Sequence, residues 1–278
     1  MSVGHYENFP VASLLLPPAL REPVGVIYRF ARTADDFADE GQDPAPQRLE
    51  KLQRCRVELQ GIQANRASAD PLFSDLARVV RAHGLPLQPL QDLLDAFAQD
   101  VVKNRYADYA ELLDYCRRSA NPVGRLVLGL VRKDSAENLR FSDSICSALQ
   151  LINFWQDVGI DYETKDRIYL PQDEMRRFGV GEDHLRARRC DEAFRALMRF
   201  QADRARRLML EGKPLVDRLR GRLRMEIAVT VQGGLRILEK LEAAGYDMFR
   251  RRPLLRALDW PLLLARAFRR TEPGSQRP

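Results

Sequence analysis

The sequence predicts an all-helical fold, on the basis of two observations. Apolar residues recur three and four positions apart along most of the 278 residues, whereas strand-like alternation is nearly absent. Aliphatic, helix-favouring residues also dominate the composition. The length suits one domain or two, and the uniform helical pattern favours one. We therefore expect a single helical domain over residues 1–270, built around a central cavity, and a disordered tail over residues 271–278.

Proline, glycine and polar clusters set the predicted helix boundaries. Pro17 and Pro18 favour an irregular opening, so the first helix is expected from about Pro23 to Gly41. Further helices are expected over about 47–65, 71–81, 87–106, 109–118, 123–131, 138–162, 171–178, 191–210 and 218–243. The adjacent glycines 233 and 234 predict a kink or free space in the last of these.

The predicted central helix carries a polar stripe. Gln150, Asn153, Asp157 and Asp161 follow one another at spacings of three, four and four, which places them on one helix face. Apolar residues occupy the rest of the helix surface, and such a helix is usually buried. The stripe should therefore line an interior cavity. Burying carboxylates without partners costs several kcal/mol, so cationic groups should meet them.

A similar stripe lies on the first helix. Tyr28, Arg32, Asp35 and Asp39 are spaced by four, three and four residues, again among apolar neighbours. Each stripe contains two aspartates in the pattern Asp-x-x-x-Asp. One such pair is usually a solvated face, but two pairs on apolar helices favour a metal site. Asp100 and Asn104 on the fourth long helix are interpreted instead as a solvated face.

The two stripes favour chemistry on a diphosphate. Carboxylates that leave room for water suit Mg²⁺ better than zinc or copper, and Mg²⁺ commonly bridges to phosphate oxygens. Arg32 and Arg167 are candidate phosphate contacts. The apolar cavity predicts a hydrocarbon chain on the substrate. Loss of diphosphate would leave a carbocation, which the faces of Tyr28, Phe154 or Trp155 could stabilise by about 0.5–2 kcal/mol each.

Other functional classes find little support. The four cysteines and three histidines have no zinc or disulfide spacing, and the cysteines are expected to be buried thiols. Acyl- and hydride-transfer motifs are absent. The net charge of +6 suits an anionic partner, but without a basic patch among aromatic residues we expect no nucleic acid. We see no signal peptide or spanning helix and expect a cytoplasmic protein.

The C-terminal segment combines clustered arginines with apolar residues. Arg250, Arg251 and Arg252 precede the apolar segment 260–264, a composition that suits the inner face of a membrane. The equally supported alternative is a terminal helix packed on the bundle with a solvated basic face.

The two stripes together resemble the motifs of the squalene and phytoene synthase family. The first motif runs from Tyr28 to Asp39, with Asp36 inside it, and the second runs from Gln150 to Asp161 and continues to Tyr169. The similarity extends to about Phe249. It implies the all-α isoprenoid synthase fold, Mg²⁺ as the cofactor and a prenyl diphosphate as the substrate.

Within this family, two segments resemble bacterial hydroxysqualene synthases of hopanoid pathways. They are the opening that contains His5, Asn8 and Phe9, and the segment Asn153–Asp157. The resemblance implies loss of diphosphate from presqualene diphosphate, a carbon–oxygen lyase reaction, with capture of the cation by water and no nicotinamide. Other enzymes of the squalene pathway are expected partners.

The sequence departs from the wider family at three places that bear on the expected reaction. Gln156 stands where members usually have arginine, which removes a cation from the diphosphate end. Gly234 aligns with a cavity tyrosine, which would open space for water. Glu7 and Asn8 replace a lysine and a serine, which weakens phosphate binding there. Two alternatives stay open: a condensing enzyme that joins two prenyl diphosphates, and a non-catalytic scaffold at the membrane surface.

The resemblance and the stripes together give three sets of expected site residues. The catalytic set is Asp35, Asp39, Asp157, Asp161 and Tyr169. The metal ligands are Asp35, Asp39, Asn153, Asp157 and Asp161. The substrate contacts are His5, Asn8, Phe9, Tyr28, Arg32, Asp36, Tyr115, Gln150, Asn153 and Arg167.

Overall fold

Helices make up most of the computed structural model, which describes residues 16–39, 41 and 43–268. The helices are α1 (Pro18–Asp39), α2 (Ala45–Gln63), α3 (Pro71–His83), α4 (Gln88–Val102), α5 (Tyr109–Ser119), α6 (Asn121–Leu130), α7 (Ala136–Lys165), α8 (Gln172–Arg177), α9 (Glu182–Arg186), α10 (Glu192–Gly212), α11 (Leu215–Arg218), α12 (Gly221–Ala243) and α13 (Trp260–Phe268). A turn of 3₁₀ helix (Ala257–Asp259) precedes α13. The all-helical prediction is confirmed: these ranges contain no β-strand, and one isolated parallel bridge joins Arg105 to Ile168.

The 30-residue helix α7 is the centre of the bundle. It packs against α5, α6, α10 and α12. The Ser135 side chain caps its start by accepting a hydrogen bond from the Asn138 backbone N–H, at 3.4 Å. Asp166 follows its last residue with a left-handed backbone (φ 48°) and ends the helix. Helix α7 therefore ends at Lys165, four residues after Asp161, the last member of the second acidic stripe.

Helix α1 begins earlier than the sequence predicted. It starts at Pro18, so the predicted start near Pro23 is wrong, and Pro23 lies within the helix. Leu20, Val24 and Ile27 are buried on one face. The burial of this face against α3 and α4 outweighs the backbone hydrogen bond that a proline removes.

Helix α12 runs without interruption through Gly233 and Gly234. The predicted free space is wrong for Gly234. A Cβ atom on Gly234 would lie 2.6 Å from the Cε atom of Met209 and 3.2 Å from a Leu149 methyl carbon. Close packing of three helices explains this glycine, and the expected space for water beside it is absent.

The end of the described chain packs on α12. Leu263 and Ala267 of α13 are buried, as the packed-helix alternative predicted. Asp259 is buried and accepts hydrogen bonds from Arg236 Nε (2.9 Å), Lys240 Nζ (2.5 Å) and the backbone N–H of Arg256 (2.7 Å). These contacts fix the segment on the bundle. Within the described ranges, no helix has the length and apolarity to cross a membrane. The predicted tail 271–278 lies outside them.

Candidate active site

The two acidic stripes converge at the C-terminal ends of α1 and α7. Asp39 on α1 accepts hydrogen bonds from Lys165 Nζ at 2.5 Å and from Arg167 Nη2 at 2.6 Å. Burial would raise the pKa of the Asp39 carboxyl, but the hydrogen bonds and charges of these two cations outweigh it, so that its pKa is lowered. The expectation that cationic groups meet the buried carboxylates is confirmed here.

Arg32 forms ion pairs with Asp36 and, at a longer distance, with Asp35 of the first stripe. Its Nη2 atom lies 2.6 Å from Asp36 Oδ1, and its Nη1 atom lies 3.5 Å from Asp35 Oδ2. Burial, and then the charge of Asp39, raise the pKa of Asp35 to about 6. Asp35 is therefore less completely neutralised than Asp39.

An arginine from the C-terminal segment, Arg252, pairs with a carboxylate of the second stripe, a contact that no sequence pattern predicted. Arg252 contacts Asp157 through two atoms, with Nε on one oxygen and Nη2 2.8 Å from the other. Arg252 was expected at a membrane or solvated face, because no local pattern links it to a residue 95 positions earlier. Burial, and then the charge of Asp157, raise the pKa of Asp161 to about 7.

Gln156 fixes the segment that carries Arg252. The Gln156 side chain donates a 2.5 Å hydrogen bond to the backbone oxygen of Pro253. In the sequence, this glutamine indicated only the loss of a cation. In the structure it helps to bring an arginine from the C-terminal segment to the next residue of α7.

Four aromatic rings form a buried cluster beside the stripes: Tyr106, Tyr115, Phe154 and Tyr169. Tyr169 stacks on Phe154 with centroids 3.6 Å apart, and it lies 5.6 Å from Tyr106 and 5.9 Å from Tyr115. Tyr106 was not predicted. Trp155 is fully buried and belongs to neither this cluster nor the cavity lining described below.

Asp100 on α4 is buried at 9% exposure, so its interpretation as part of a solvated face is wrong. Its Oδ2 atom accepts a 2.6 Å hydrogen bond from the Tyr115 hydroxyl. Asn104 is exposed, as expected. The helix ends at Val102, short of the predicted boundary, so the two residues do not share a helix face.

A cavity of about 250 Å³ adjoins the first stripe. Its lining combines apolar side chains with Arg32 and Asp35 at one end. The lining residues are Val24, Ile27, Tyr28, Ala31, Arg32, Asp35, Phe97, Val123 and Val127. The predicted proximity of an apolar chamber to acidic groups is confirmed for this stripe.

The carboxylates fit Mg²⁺ in type but do not form a closed ligand set. In the part of the chain that the structure describes, no three His, Cys, Asp or Glu side chains are grouped to hold one metal ion. Burial is the main reason that the pKa values of Asp35 and Asp161 are raised, and the charges of Asp39 and Asp157 raise them further. Hard oxygen donors of this kind suit a cation that keeps water or phosphate oxygens among its ligands.

The structure describes some of the remaining expected site residues and not others. Gln150 and Asn153 are half-buried on α7. Arg167 is buried, and its guanidinium also donates a 2.8 Å hydrogen bond to the Asp100 backbone oxygen. His5, Asn8 and Phe9 lie outside the described residues. The roles of all these residues in substrate or metal binding stay predictions.

Comparison with protein families gives one match over nearly the whole chain. The squalene/phytoene synthase family model matches residues 3–259. A hydroxysqualene synthase of Rhodopseudomonas palustris is 37% identical over 237 residues, which is 85% of this chain and 80% of that protein. A phytoene synthase of Thermus thermophilus is 32% identical over 266 residues, which is 95% of this chain and 89% of that protein.

Solved structures have the same architecture. Squalene synthase HpnC from Alicyclobacillus acidocaldarius superimposes with a TM-score of 0.81 at 37% identity, over 87% of this chain and 90% of that one. A dehydrosqualene synthase crystallised with a ligand also gives a TM-score of 0.81, at 24% identity, over 91% of this chain and 87% of that one.

Proposed function

The chain belongs to the squalene/phytoene synthase family, and we propose that it releases diphosphate from presqualene diphosphate and captures the resulting cation with water, forming hydroxysqualene. Its helical bundle is the all-α isoprenoid synthase fold. Enzymes of this family act on prenyl diphosphates. The proposal concerns the particular substrate and the fate of the cation.

The observation that carries the proposal is the convergence of the two acidic stripes beside an apolar cavity. Asp39 on α1 meets the end of α7 through Lys165 and Arg167, while Tyr28 and Asp35 line the cavity. A substrate with an anionic head and a hydrocarbon tail matches this polarity. The names of the similar hydroxysqualene synthases support the particular reaction.

We propose Mg²⁺ as the cofactor, with ligands from both stripes: Asp35, Asp39, Asn153, Asp157 and Asp161. Bound there, Mg²⁺ would act as a Lewis acid that stabilises the charge developing on the departing diphosphate. The chain's own cations Arg32 and Arg167 lie at the same end and would contact the phosphate oxygens.

The buried aromatic cluster would stabilise the carbocation. Aromatic ring faces carry negative electrostatic potential. A face of Tyr115, or the side of Phe154 or Tyr169 that is not stacked on the other ring, can contribute about 0.5–2 kcal/mol toward a cation in contact with it. Their burial keeps bulk water away, so that the product depends on which water reaches the cation. The proposed reaction needs no reductant.

Incubation with presqualene diphosphate and Mg²⁺ in ¹⁸O-labelled water, without NADPH, tests this function. We expect inorganic diphosphate and hydroxysqualene that carries ¹⁸O. Squalene, phytoene or unchanged substrate would contradict the proposal. Unchanged substrate would support the alternative of a non-catalytic scaffold.

Variants of the stripes test the metal site. Asp35→Asn and Asp157→Asn should each lower turnover by at least about 10³-fold, because each removes a carboxylate that stabilises the leaving group's charge through the metal. Helix content measured by circular dichroism should not change. The control is Asp75→Asn, which alters a half-exposed carboxylate on α3. Wild-type turnover in either stripe variant would exclude that residue from the metal site.

A condensing reaction is the second candidate, favoured by the similarity to phytoene synthase over 95% of the chain. It would consume farnesyl or geranylgeranyl diphosphate as the only prenyl substrate. Incubation with each of these and Mg²⁺ separates the two candidates. Formation of presqualene diphosphate or phytoene would support condensation.

We propose a peripheral membrane contact through four exposed apolar side chains of the C-terminal segment, Leu258, Trp260, Leu262 and Phe268. Leu258 is 91% exposed and Phe268 is 69% exposed, although the buried Asp259 anchors the segment to α12. The exposed Arg250 and Arg251 lie nearby in the chain and suit anionic headgroups. A cytoplasmic location at the inner membrane face, near other enzymes of the squalene pathway, would follow.

Sedimentation with anionic and neutral phospholipid vesicles tests this contact. Leu258→Glu and Phe268→Glu should each reduce binding to anionic vesicles several-fold, because each places a charge on the apolar surface. Val57→Glu, at a 47% exposed position on α2, is the matched control. Equal sedimentation of all three variants would contradict the assignment of this surface.

A further inference from the structure

Asp100 is a buried carboxyl with an incompletely satisfied side chain. Its Oδ2 atom accepts the Tyr115 hydroxyl at 2.6 Å, whereas its Oδ1 atom is buried and has no hydrogen-bond partner among the described residues. The side chain also makes no ion pair within those ranges. Burying an unpaired polar atom is costly, so such an atom in a folded protein calls for a specific explanation.

The position of Asp100 connects the cavity with the aromatic cluster. Phe97 lines the cavity and lies one helical turn before Asp100, so the two side chains share a face of α4. Tyr115, which holds Asp100, has its ring 5.9 Å from Tyr169 and 5.5 Å from Tyr106. The Asp100 carboxyl therefore lies next to the rings proposed to face the cation, on the face of α4 that also carries the cavity-lining Phe97.

Two of the other acidic groups, Asp39 and Asp157, are less suited to accept a proton. Asp39 and Asp157 are each held by arginines in two-point contacts. Asp100 meets Arg167 only through its backbone oxygen, at 2.8 Å. Burial raises the pKa of Asp100 to about 7, against the lowering effects of Arg167 and the Tyr115 hydrogen bond. A carboxyl that titrates near neutrality can accept a proton and then release it.

We propose that Asp100 is the catalytic base for the capture of the cation by water, an assignment that rests on the proposed function. The water oxygen forms the new C–O bond with one lone pair. One of its O–H bonds then breaks, the electron pair stays on oxygen, and the proton moves to Oδ1 of Asp100. The Tyr115 hydroxyl holds Oδ2 and orients the carboxyl. The alcohol leaves as a neutral product, and the proton then passes from Asp100 to solvent.

The test measures diphosphate release and alcohol formation separately, with presqualene diphosphate and Mg²⁺ in ¹⁸O-labelled water. In Asp100→Asn, the yield of alcohol per diphosphate released should fall by about 10²-fold, because the amide cannot accept the proton. The cation should then lose a C–H proton to the departing diphosphate and end as a hydrocarbon with one more double bond. Diphosphate release should stay within a few-fold of wild type. Asp95→Asn, which changes a 45% exposed carboxylate on the same helix, should behave as wild type.

A second variant separates chemistry from folding. Tyr115→Phe keeps the ring and leaves the Asp100 carboxylate in place, but removes the hydrogen bond that orients it. Its alcohol yield per diphosphate should fall by about tenfold, with thermal unfolding measured beside it. If Asp100→Asn does not fold, an unchanged alcohol yield in Tyr115→Phe overturns the proposal.

The results also distinguish this assignment from the proposed function. If the wild-type protein forms no labelled alcohol, the proposed function fails and the assignment fails with it. If the wild type forms alcohol and Asp100→Asn forms it at the same yield per diphosphate, only the role of Asp100 is overturned. If diphosphate release and alcohol formation fall equally in Asp100→Asn, the role of Asp100 is also overturned. Asp100 would then be needed for the loss of diphosphate or for folding.

Discussion

Replacing Arg252 by alanine should destabilise the protein in the absence of metal. The change leaves the Asp157 carboxylate, whose side chain is 12% exposed, without its two-point contact and beside Asp161. Removing one partner of a fully buried ion pair costs about 3–5 kcal/mol. The partial exposure of this pair, 18% and 12%, allows water to replace some of the lost contact. We therefore expect a loss of about 2–3 kcal/mol.

Thermal unfolding in the presence of a chelator measures this loss. For a chain of this size, each kcal/mol corresponds to about 2–4 °C, so Arg252→Ala should lower the Tm by about 4–12 °C. Arg250→Ala is the matched control, because Arg250 is in the same segment but its side chain is 89% exposed in its ion pair with Asp247. That variant should change the Tm by at most about 2 °C.

A double variant tests the electrostatic reason directly. If the loss comes from an uncompensated carboxylate, Arg252→Ala combined with Asp157→Asn should be more stable than Arg252→Ala by itself. Adding Mg²⁺ should also raise the Tm of Arg252→Ala more than that of wild type, because Asp157 no longer has a competing cation. Equal Tm values for the Arg252 and Arg250 variants, or no recovery in the double variant, would refute this reasoning.

Two further predictions concern acidity and packing. In a chelator, the free energy of unfolding should fall as pH rises from 5 to 8, because Asp35 and Asp161, with pKa values raised to about 6 and 7, hold protons that the unfolded chain releases. Denaturant titrations at both pH values measure this, and higher stability at pH 8 would contradict it. Gly212→Ala should lower the free energy of unfolding by about 1–3 kcal/mol, because the added Cβ would lie 2.6 Å from the Phe141 backbone oxygen. Gly234→Ala should lower it less, because there the added Cβ meets the flexible end of a side chain. Equal Tm values for the two glycine variants would show that backbone contact does not limit Gly212.

The parts of the site that were predictable depend on local spacing. Asp35 and Asp39, and likewise Asp157 and Asp161, are four residues apart, and helix geometry places each pair on one face whatever the rest of the fold does. The apolar surroundings of each pair showed that the helices would be buried. The helical fold could therefore be predicted from the sequence, and so could the convergence of the two stripes.

The missed residues depend on contacts between distant parts of the chain. Arg252 reaches Asp157 across 95 positions, and the buried Asp100 accepts hydrogen bonds from Tyr115 and, at its backbone oxygen, from Arg167. No periodic pattern contains that information. Gly234 was misread for the same reason, since only the packed structure shows that Met209 occupies the space beside it.

The left-handed backbone at Asp166 has a consequence for how this enzyme could be altered. One torsion angle redirects the chain so that Arg167 points to Asp39 while Tyr169 enters the ring cluster two residues later. Asn104 and Arg105 hold the Asp166 side chain at 3.0 and 2.8 Å. The Arg167–Asp39 ion pair and the aromatic cluster are thus coupled through the backbone at Asp166. A substitution that relaxed this backbone conformation would shift both together.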